Sequence, residues 1–152
     1  MALIYKTGDI LKATENVICH QVNVDGVMGG GLALQIARAY PNICDSYKRF
    51  CSFYNNNYET LKGQIMIGCI NESQYIANCF TQKPNFDTDY HAIYDCFTNL
   101  LQFCRDEHKT LAVPYKYGCG IANGDWNFVE KIFTDISKDF DVDIVIYILS
   151  DK

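Results

Sequence analysis

The sequence predicts a three-layer α/β/α domain on a mixed, mainly parallel central sheet, and three observations predict it. Short apolar runs with strand character alternate with amphipathic helical spacing along the whole chain. Two of those runs, ending near Asn23 and Tyr115, lead into glycine-rich loops that open helices. A turn signal at Asn71-Glu72-Ser73 joins two neighbouring strands in the middle of the chain, which makes a hairpin. Residues 1–152 read as one domain, long enough to bury a real core, with no linker, repeat or second unit.

The elements follow in order. Residues 3–11 hold Ile4-Tyr5 and Ile10-Leu11 around Gly8-Asp9, a first strand ending at a turn. Residues 15–22 are the second strand. Leu32, Ile36 and Tyr40 share a helical face over residues 31–40, and Pro41 ends or bends that helix because its ring clashes with the preceding turn. Residues 43–53 form a second helix carrying Tyr47, Phe50 and Cys51, and Asn55-Asn56-Asn57 is a loop. Residues 63–70 and Gln74–Phe80 are the hairpin strands, and residues 81–89 a polar loop containing Pro84. Ile93, Phe97, Leu100, Leu101 and Cys104 give residues 90–108 the period of an amphipathic helix. Residues 110–115 are a short buried strand and residues 118–125 a second glycine loop. Trp126, Val129, Ile132, Phe133 and Ile136 mark the last helix, and residues 142–149 an apolar last strand.

The first glycine loop, from Asp25-Gly26 to Gly29-Gly30-Gly31-Leu32-Ala33, carries the chemistry. Glycines there let the backbone approach a ligand, and the helix start behind them offers unpaired N–H donors with a partial positive charge. That combination favours a phosphate or diphosphate, although a glycine turn also serves plain strand-to-helix packing. The P-loop lysine is absent, since Leu32-Ala33 follow the glycines, and so is the G-x-G-x-x-G spacing. Ligands in open α/β sheets collect at the carboxyl ends of the strands, so both loops belong to one rim. Asp9 stands at a strand end on the same rim. It either caps its turn or accepts a hydrogen bond from an exocyclic amine such as that of adenine.

Composition sets limits on partners. With a formal net charge of −5 and no basic run, the chain is not a general binder of nucleic acid or anionic membrane, so a phosphate is held by backbone donors in a local pocket. No apolar run reaches membrane-spanning length, and the start Met1-Ala2-Leu3-Ile4-Tyr5-Lys6 is already strand-like, which argues against a signal peptide. The 8 cysteines contain no C-x-x-C and lie mostly in strands or on apolar helix faces. Buried, reduced thiols in a cytoplasmic monomer are expected, with no metal site and no cofactor.

Taken together, Gly8-Asp9-Ile10, His20-Gln21-Val22-Asn23 with residues 26–33, and Gly118-Cys119-Gly120-Ile121-Ala122 with Gly124-Asp125-Trp126 resemble a macrodomain over essentially the whole chain. The resemblance implies ADP-ribose or a derivative as ligand. Asp9 then holds the adenine amine with Ile10 beside it. Met28, Gly29, Gly30, Gly31, Leu32 and Ala33, with Gly118, Cys119, Gly120, Ile121 and Ala122, hold the diphosphate and the distal ribose. Asn23 approaches that ribose near its reacting carbon.

Within the family the chain is most similar to the compact group associated with ADP-ribose-1''-phosphate processing and with removal of ADP-ribose from modified macromolecules. One hydrolase branch uses a lysine after the strand corresponding to residues 75–80 and an aspartate after its G-C-G loop. This chain departs from it, with Gln82 beside Lys83 at the first position and Ala122 at the second. Catalytic candidates are Asn23, Asp125, Lys83 and His20, each with a structural alternative: helix N-cap for Asp125, satisfied core histidine for His20, solvated loop for Lys83, binding alone for Asn23. Asp25 either joins them or only builds its turn with Gly26. The expected function is a hydrolase acting at the distal ribose of an ADP-ribose derivative, the rival a non-catalytic ADP-ribose reader.

Overall fold

A computed structural model describes residues 2–120 and 122–149. Its strands are β1 (Leu3–Thr7), β2 (Val17–Val22), β3 (Ile65–Asn71), β4 (Gln74–Phe80), β5 (Leu111–Pro114) and β6 (Ile144–Ile148). Its helices are α1 (Gly31–Ala39), α2 (Pro41–Phe53), α3 (Tyr58–Leu61), α4 (Tyr90–Glu107) and α5 (Trp126–Phe140). The strands form one sheet in the order β1-β6-β5-β2-β4-β3, parallel except where β3 pairs antiparallel with β4. The expected hairpin is present, and its outer strand becomes one edge of the sheet.

Period-2 alternation along the strands sends side chains to two separate cores. Val17 and Cys19 of β2 face α4 and α5, where Phe97, Leu100, Leu101, Val129 and Phe133 are buried. Ile18 and Val22 face α1 and α2, against Ile36, Ile43 and Tyr47. Helices on both faces explain why β2 is buried almost throughout rather than alternating between buried and exposed. Cys19, Cys44, Cys51, Cys79, Cys96 and Cys104 are buried free thiols, Cys119 is half-buried and Cys69 is exposed.

The ends of elements follow local chemistry. Asp89 caps α4 by accepting from Ala92 N at 3.1 Å. Pro41 occupies the first turn of α2, where its missing N–H costs nothing, so the chain bends between α1 and α2 instead of continuing one helix. Two details differ from the sequence reading. β1 stops at Thr7 and Ile10–Lys12 forms a 3-10 turn, because Asp9 accepts from Leu11 N at 3.0 Å. The short helix α3 follows the asparagine loop, with Asn57 accepting from Thr60 N at 2.9 Å. Among the described residues no helix is long and apolar enough to cross a membrane.

Gly68 on β3 is buried under α2, and a Cβ there would lie 2.6 Å from Ile43 Cγ2 and 2.9 Å from Cγ1. Gly68→Ala is expected to cost about 1–3 kcal/mol through overpacking, lowering Tm by roughly 2–4 °C per kcal/mol. Adding Ile43→Val should return part of that loss. A thermal-melt double-mutant cycle without positive coupling would show that the contact is not the cause.

Candidate functional site

The parallel strands β1, β6, β5, β2 and β4 deliver their carboxyl ends to one rim, and three adjoining cavities follow the order of the strands along it. The first, about 600 Å³, lies at β1, β6 and β5, with Asp9, Ile10, Tyr147 and Leu149 in its wall. The second, about 360 Å³, lies between the two glycine loops and takes in His20, Gly30, Gly31, Lys116, Gly118 and Gly120. The third, about 280 Å³, is formed by Asn23, Val27, Gly29, Gln82 and Phe86. Neighbouring cavities share wall residues: Gly31, Leu32, Pro114, Tyr115 and Lys116 between the first two, Gln21, Gly30, Ala33 and Gln82 between the last two.

The first glycine loop is pinned from below. Val24 and Met28 are buried in the α1/α2 core. Asn23 donates from Nδ2 to Val27 O at 3.1 Å and accepts from Asp25 N at 3.0 Å. The buried Tyr47 hydroxyl lies 2.7 Å from Asn23 O and 2.8 Å from Oδ1, so its proton is shared between them, and Asn56 Nδ2 donates to Val24 O at 2.7 Å. Above these anchors Gly30 is the N-cap of α1 and supplies no side-chain cap, which leaves the first-turn N–H groups of Gly31, Leu32 and Ala33 as free donors at the positive end of the helix. Gly31 has a φ of +55°, a conformation that favours glycine.

The second loop hangs on a polar network. Gln21 Nε2 donates to Thr81 O at 3.1 Å and lies 3.2 Å from Thr88 Oγ1, while the hydroxyls of Thr81 and the buried Tyr117 are 2.7 Å apart. Thr88 donates to Gly118 O, which also accepts from Gly124 N at 2.9 Å. Gly118 has a φ of +73°, and a Cβ there would meet Thr88 Oγ1 at 2.8 Å, so this network needs glycine at that position.

The expected site residues divide into those that line the cleft and those that do not. Asp9, Ile10, Asn23, Gly29, Gly30, Gly31, Leu32, Ala33, Gly118, Gly120, Ala122 and His20 line it. Asp9 both caps its turn through Oδ1 and faces the first cavity, so the two readings of it are compatible. Met28 is a correction: its side chain is a buried anchor of the loop, away from the cleft. Cys119 is another, since its thiol turns back to Tyr117 O at 3.3 Å and burial raises its pKa above the ordinary range. Lys83 is exposed on a tight turn and lines none of the three cavities, while the neighbouring Gln82 lines two of them. Asp125 caps α5, accepting from Asn127 N at 3.0 Å, and lies outside the cleft wall. Asp25 likewise stays in its turn. Ile121 lies outside the described residues.

Other lining residues escape the sequence reading. Lys116 supplies a cation beside the glycine loops, its Nζ 5.6 Å from the centre of the Tyr115 ring. It stands between a strand end and the second loop, so the strand-end rule that picks out Asn23 would have found it, as it would Gln82 after β4. Phe86 and Tyr147 carry no comparable local signal.

His20 is buried, with Nε2 2.6 Å from Asn78 Oδ1. Asn78 spends its Nδ2 on Met66 O at 3.0 Å, so its Oδ1 accepts and the histidine proton is on Nε2. Nδ1 is left as a buried acceptor without a partner among the described residues. Burial pushes the imidazole pKa below its ordinary value, against a smaller opposing effect of Asn78, so the ring stays neutral.

A family model described as Macro domain matches residues 19–133. A Mycobacterium tuberculosis protein named DNA ADP-ribosyl glycohydrolase is 31% identical over 153 residues, taking in 95% of this chain and 42% of that protein. The chain therefore spans less than half the length of that relative. The ADP-ribose 1''-phosphate phosphatase of Saccharomyces cerevisiae is 27% identical over 110 residues, or 71% of this chain and 60% of the relative. Among solved structures, the macrodomain of Mycobacterium tuberculosis DarG is similar with a TM-score of 0.81 and 30% identity, covering 95% of this chain and 96% of that one.

The His20 geometry makes a pH prediction. As pH falls below the ordinary histidine pKa, the unfolded chain takes up a proton that the folded chain refuses, and stability is lost until pH passes below the lowered folded value. The slope from this one group is at most about 1.4 kcal/mol per pH unit. His20→Gln is expected to flatten that part of the stability curve in denaturant titrations across mildly acid pH. An unchanged slope would mean that His20 is protonated alike in both states.

Proposed function

This chain belongs to the Macro domain family, and we propose that it binds ADP-ribose along the cleft and hydrolyses a bond at the distal ribose of an ADP-ribose derivative. The observation that carries the reading is the facing pair of main-chain-donor loops, central in a cleft that has Asp9 at one end and Asn23 at the other. The names of the relatives support it, since a DNA ADP-ribosyl glycohydrolase and an ADP-ribose 1''-phosphate phosphatase both act on ADP-ribosyl compounds.

In this reading the adenine amine donates to Asp9 while Ile10 and the ring of Tyr147 hold the base. The N–H groups of Gly31, Leu32 and Ala33 and the second loop bind the diphosphate, with Lys116 balancing its charge. Water attacks at the distal end, the bond to the leaving group breaks, and the departing atom keeps the electron pair and ends with a proton. The attacking water gives its proton to solvent, since His20 lies in the wall of the middle cavity with its Nδ1 buried. Asn23 holds the first loop in its productive shape, and fixed main-chain donors steady the developing charge. Lys83 and Asp125 have no part in it. One observation favours a second reading, a module that holds ADP-ribose without turnover: the described residues lining the Asn23 end include no acid, amine or imidazole.

Calorimetry with ADP-ribose is expected to give a single site, and Asp9→Ala to weaken it about tenfold or more through loss of a charged hydrogen bond. Lys83→Ala should change affinity by no more than about twofold, as an exposed substitution away from the cleft. With an ADP-ribose adduct or the 1''-phosphate as substrate, Asn23→Ala should lower kcat by about tenfold or more, because the first loop loses the side chain that fixes Val27 O and Asp25 N. No affinity for ADP-ribose in the unmodified chain would remove the proposal, and affinity without any turnover would leave the holding module.

A further inference from the structure

The two edges of the sheet are built differently. β1 carries Lys6 among its 5 residues, a charge of the kind that keeps an edge from pairing with another chain. β3, at the other edge, has 7 residues, Ile65-Met66-Ile67-Gly68-Cys69-Ile70-Asn71, and neither a charge nor a proline. Phe80 N donates to Gln64 O at 3.1 Å, and the antiparallel register continues with Met66 opposite Asn78 and Gly68 opposite Ile76. Bonded pairs alternate with unbonded ones, so the even-numbered residues of β3 spend their backbone groups on β4. The N–H and C=O groups of Ile65, Ile67 and Cys69 point the other way, where the sheet has no further strand among the described residues.

The side chains of the same three residues share the α4 face of the sheet, since Met66 and Ile70 pack into the α1/α2 core and Gly68 lies under Ile43. Ile65 packs against the α4/α5 core, but Ile67 is 46% exposed and Cys69 is exposed too. Beside the start of the strand a shallow cavity of about 280 Å³ opens between the Lys62 turn and α4, with Gln64, Asp95 and Thr98 in its wall. Thr98 Oγ1 is buried without a hydrogen-bond partner among the described residues. The two ends of β3 differ in charge: Lys62 precedes it, held by Glu59 at 2.7 Å, and Glu72 follows it in the hairpin turn.

We infer that β3 is an interaction surface for a second copy of this chain, the two strands pairing antiparallel about a two-fold axis at Ile67 and joining two sheets into one. This stands independently of the ADP-ribose reading and replaces the monomer expected from the sequence alone. Only outward residues bond across the new edge, and the register decides how many do so. With Ile67 opposite Ile67 of the second copy, Ile65 falls opposite Cys69 and Cys69 opposite Ile65, so all three are bonded on each strand, about six hydrogen bonds in all. Sliding one strand by two residues moves an outward residue onto Asn71, beyond the bulge, or onto Gly63, whose N–H is spent on Phe80 O. The central register is self-complementary, as an isologous contact requires. It covers the two exposed Ile67 side chains with each other. It also brings Lys62 of each copy alongside the Glu72 turn of the other, whereas a parallel pairing puts like charges together. Glu59 and Asp95 stand near Lys62, so this ion pair sets direction more than strength. Repulsion between two chains of net charge −5 is screened beyond about 8–10 Å at physiological salt. One strand edge buries less than the roughly 1,600 Å² of a standard interface, so the dimer is weak, with a Kd between about 1 µM and 1 mM. The two-fold axis reverses the strands, so the two clefts open at opposite ends of the joined sheet and neither copy blocks the other's.

Sedimentation velocity of the full chain from about 5 µM to about 1 mM tests the inference. The mean mass is expected to rise from one chain towards two. Ile67→Lys should weaken association at least about tenfold by placing a charge on the edge, while its near-UV circular dichroism stays that of the folded chain. Ile4→Lys, on the opposite edge, should leave association unchanged. Cross-linking reads the register. In a Cys69→Ser background, Ile67→Cys should give a disulfide-linked dimer under mild oxidation, because facing Cα atoms lie about 5.5 Å apart. Asn71→Cys in the same background should not, since those positions lie eight residues out of register, about 27 Å apart. A monomer at every concentration, association that survives Ile67→Lys or falls equally with Ile4→Lys, or cross-linking of Asn71→Cys at least as fast as that of Ile67→Cys would each overturn the inference. Should Ile67→Lys fail to fold, the mass rise of the unmodified chain and the cross-linking comparison decide the matter together.

Discussion

The loop between β2 and α1 has no regular structure of its own, and it keeps one shape because the Tyr47 hydroxyl, carried up from α2, reaches the carbonyl and the carboxamide of Asn23 together. That phenol is fully buried, and burial pushes its pKa far above the ordinary tyrosine value, so the proton it shares is permanent at any physiological pH. With Asn23 held, its Nδ2 fixes Val27 O, Met28 drops into the core, and Gly29 and Gly30 are left at the surface with their backbone turned to the cleft. The donors of the cleft are thus preorganised by the core beneath them rather than by contacts among themselves.

This arrangement resolves an electrostatic tension. An acidic chain repels anions at long range, but screening limits that repulsion to about 8–10 Å at physiological salt. Inside the cleft the field is set locally by the uncapped first turn of α1 and by Lys116. A protein can therefore be unattractive to polyanions in general and still match one anionic group placed at the right point. The charge of the whole chain and the charge seen by a bound molecule are separate quantities.

The fold was legible because its signals are local. Alternating strand and helix periods, Pro41, the hairpin turn and the two glycine loops each report within a few residues, and the strand-end rule puts Asp9 and Asn23 on one rim. What was not legible depends on register and on irregular backbone. The pairing of His20 with Asn78 follows from the parallel register of β2 on β4, which links residues 58 positions apart. Side-chain direction inside loops has no period, so nothing in the sequence distinguishes Met28 and Cys119, which turn inward, from the glycines beside them, which turn outward. Phe86 reaches the cleft only because a turn in the polar loop gives it a positive φ. Lys83 and Gln82 are adjacent in sequence, yet one is solvated and the other lines two cavities, a difference set by the strand end that they follow.

The strand order has a temporal consequence. β6 lies between β1 and β5, so the first strand made has no neighbour in the sheet until nearly the last one arrives to pair with it, Leu3 beside Ile144. Tyr147 and Leu149, in the wall around Asp9, travel with that late segment. A nascent chain emerging from the ribosome therefore carries both glycine loops well before the Asp9 end of its cleft has been assembled, and it gains a complete groove in one late event.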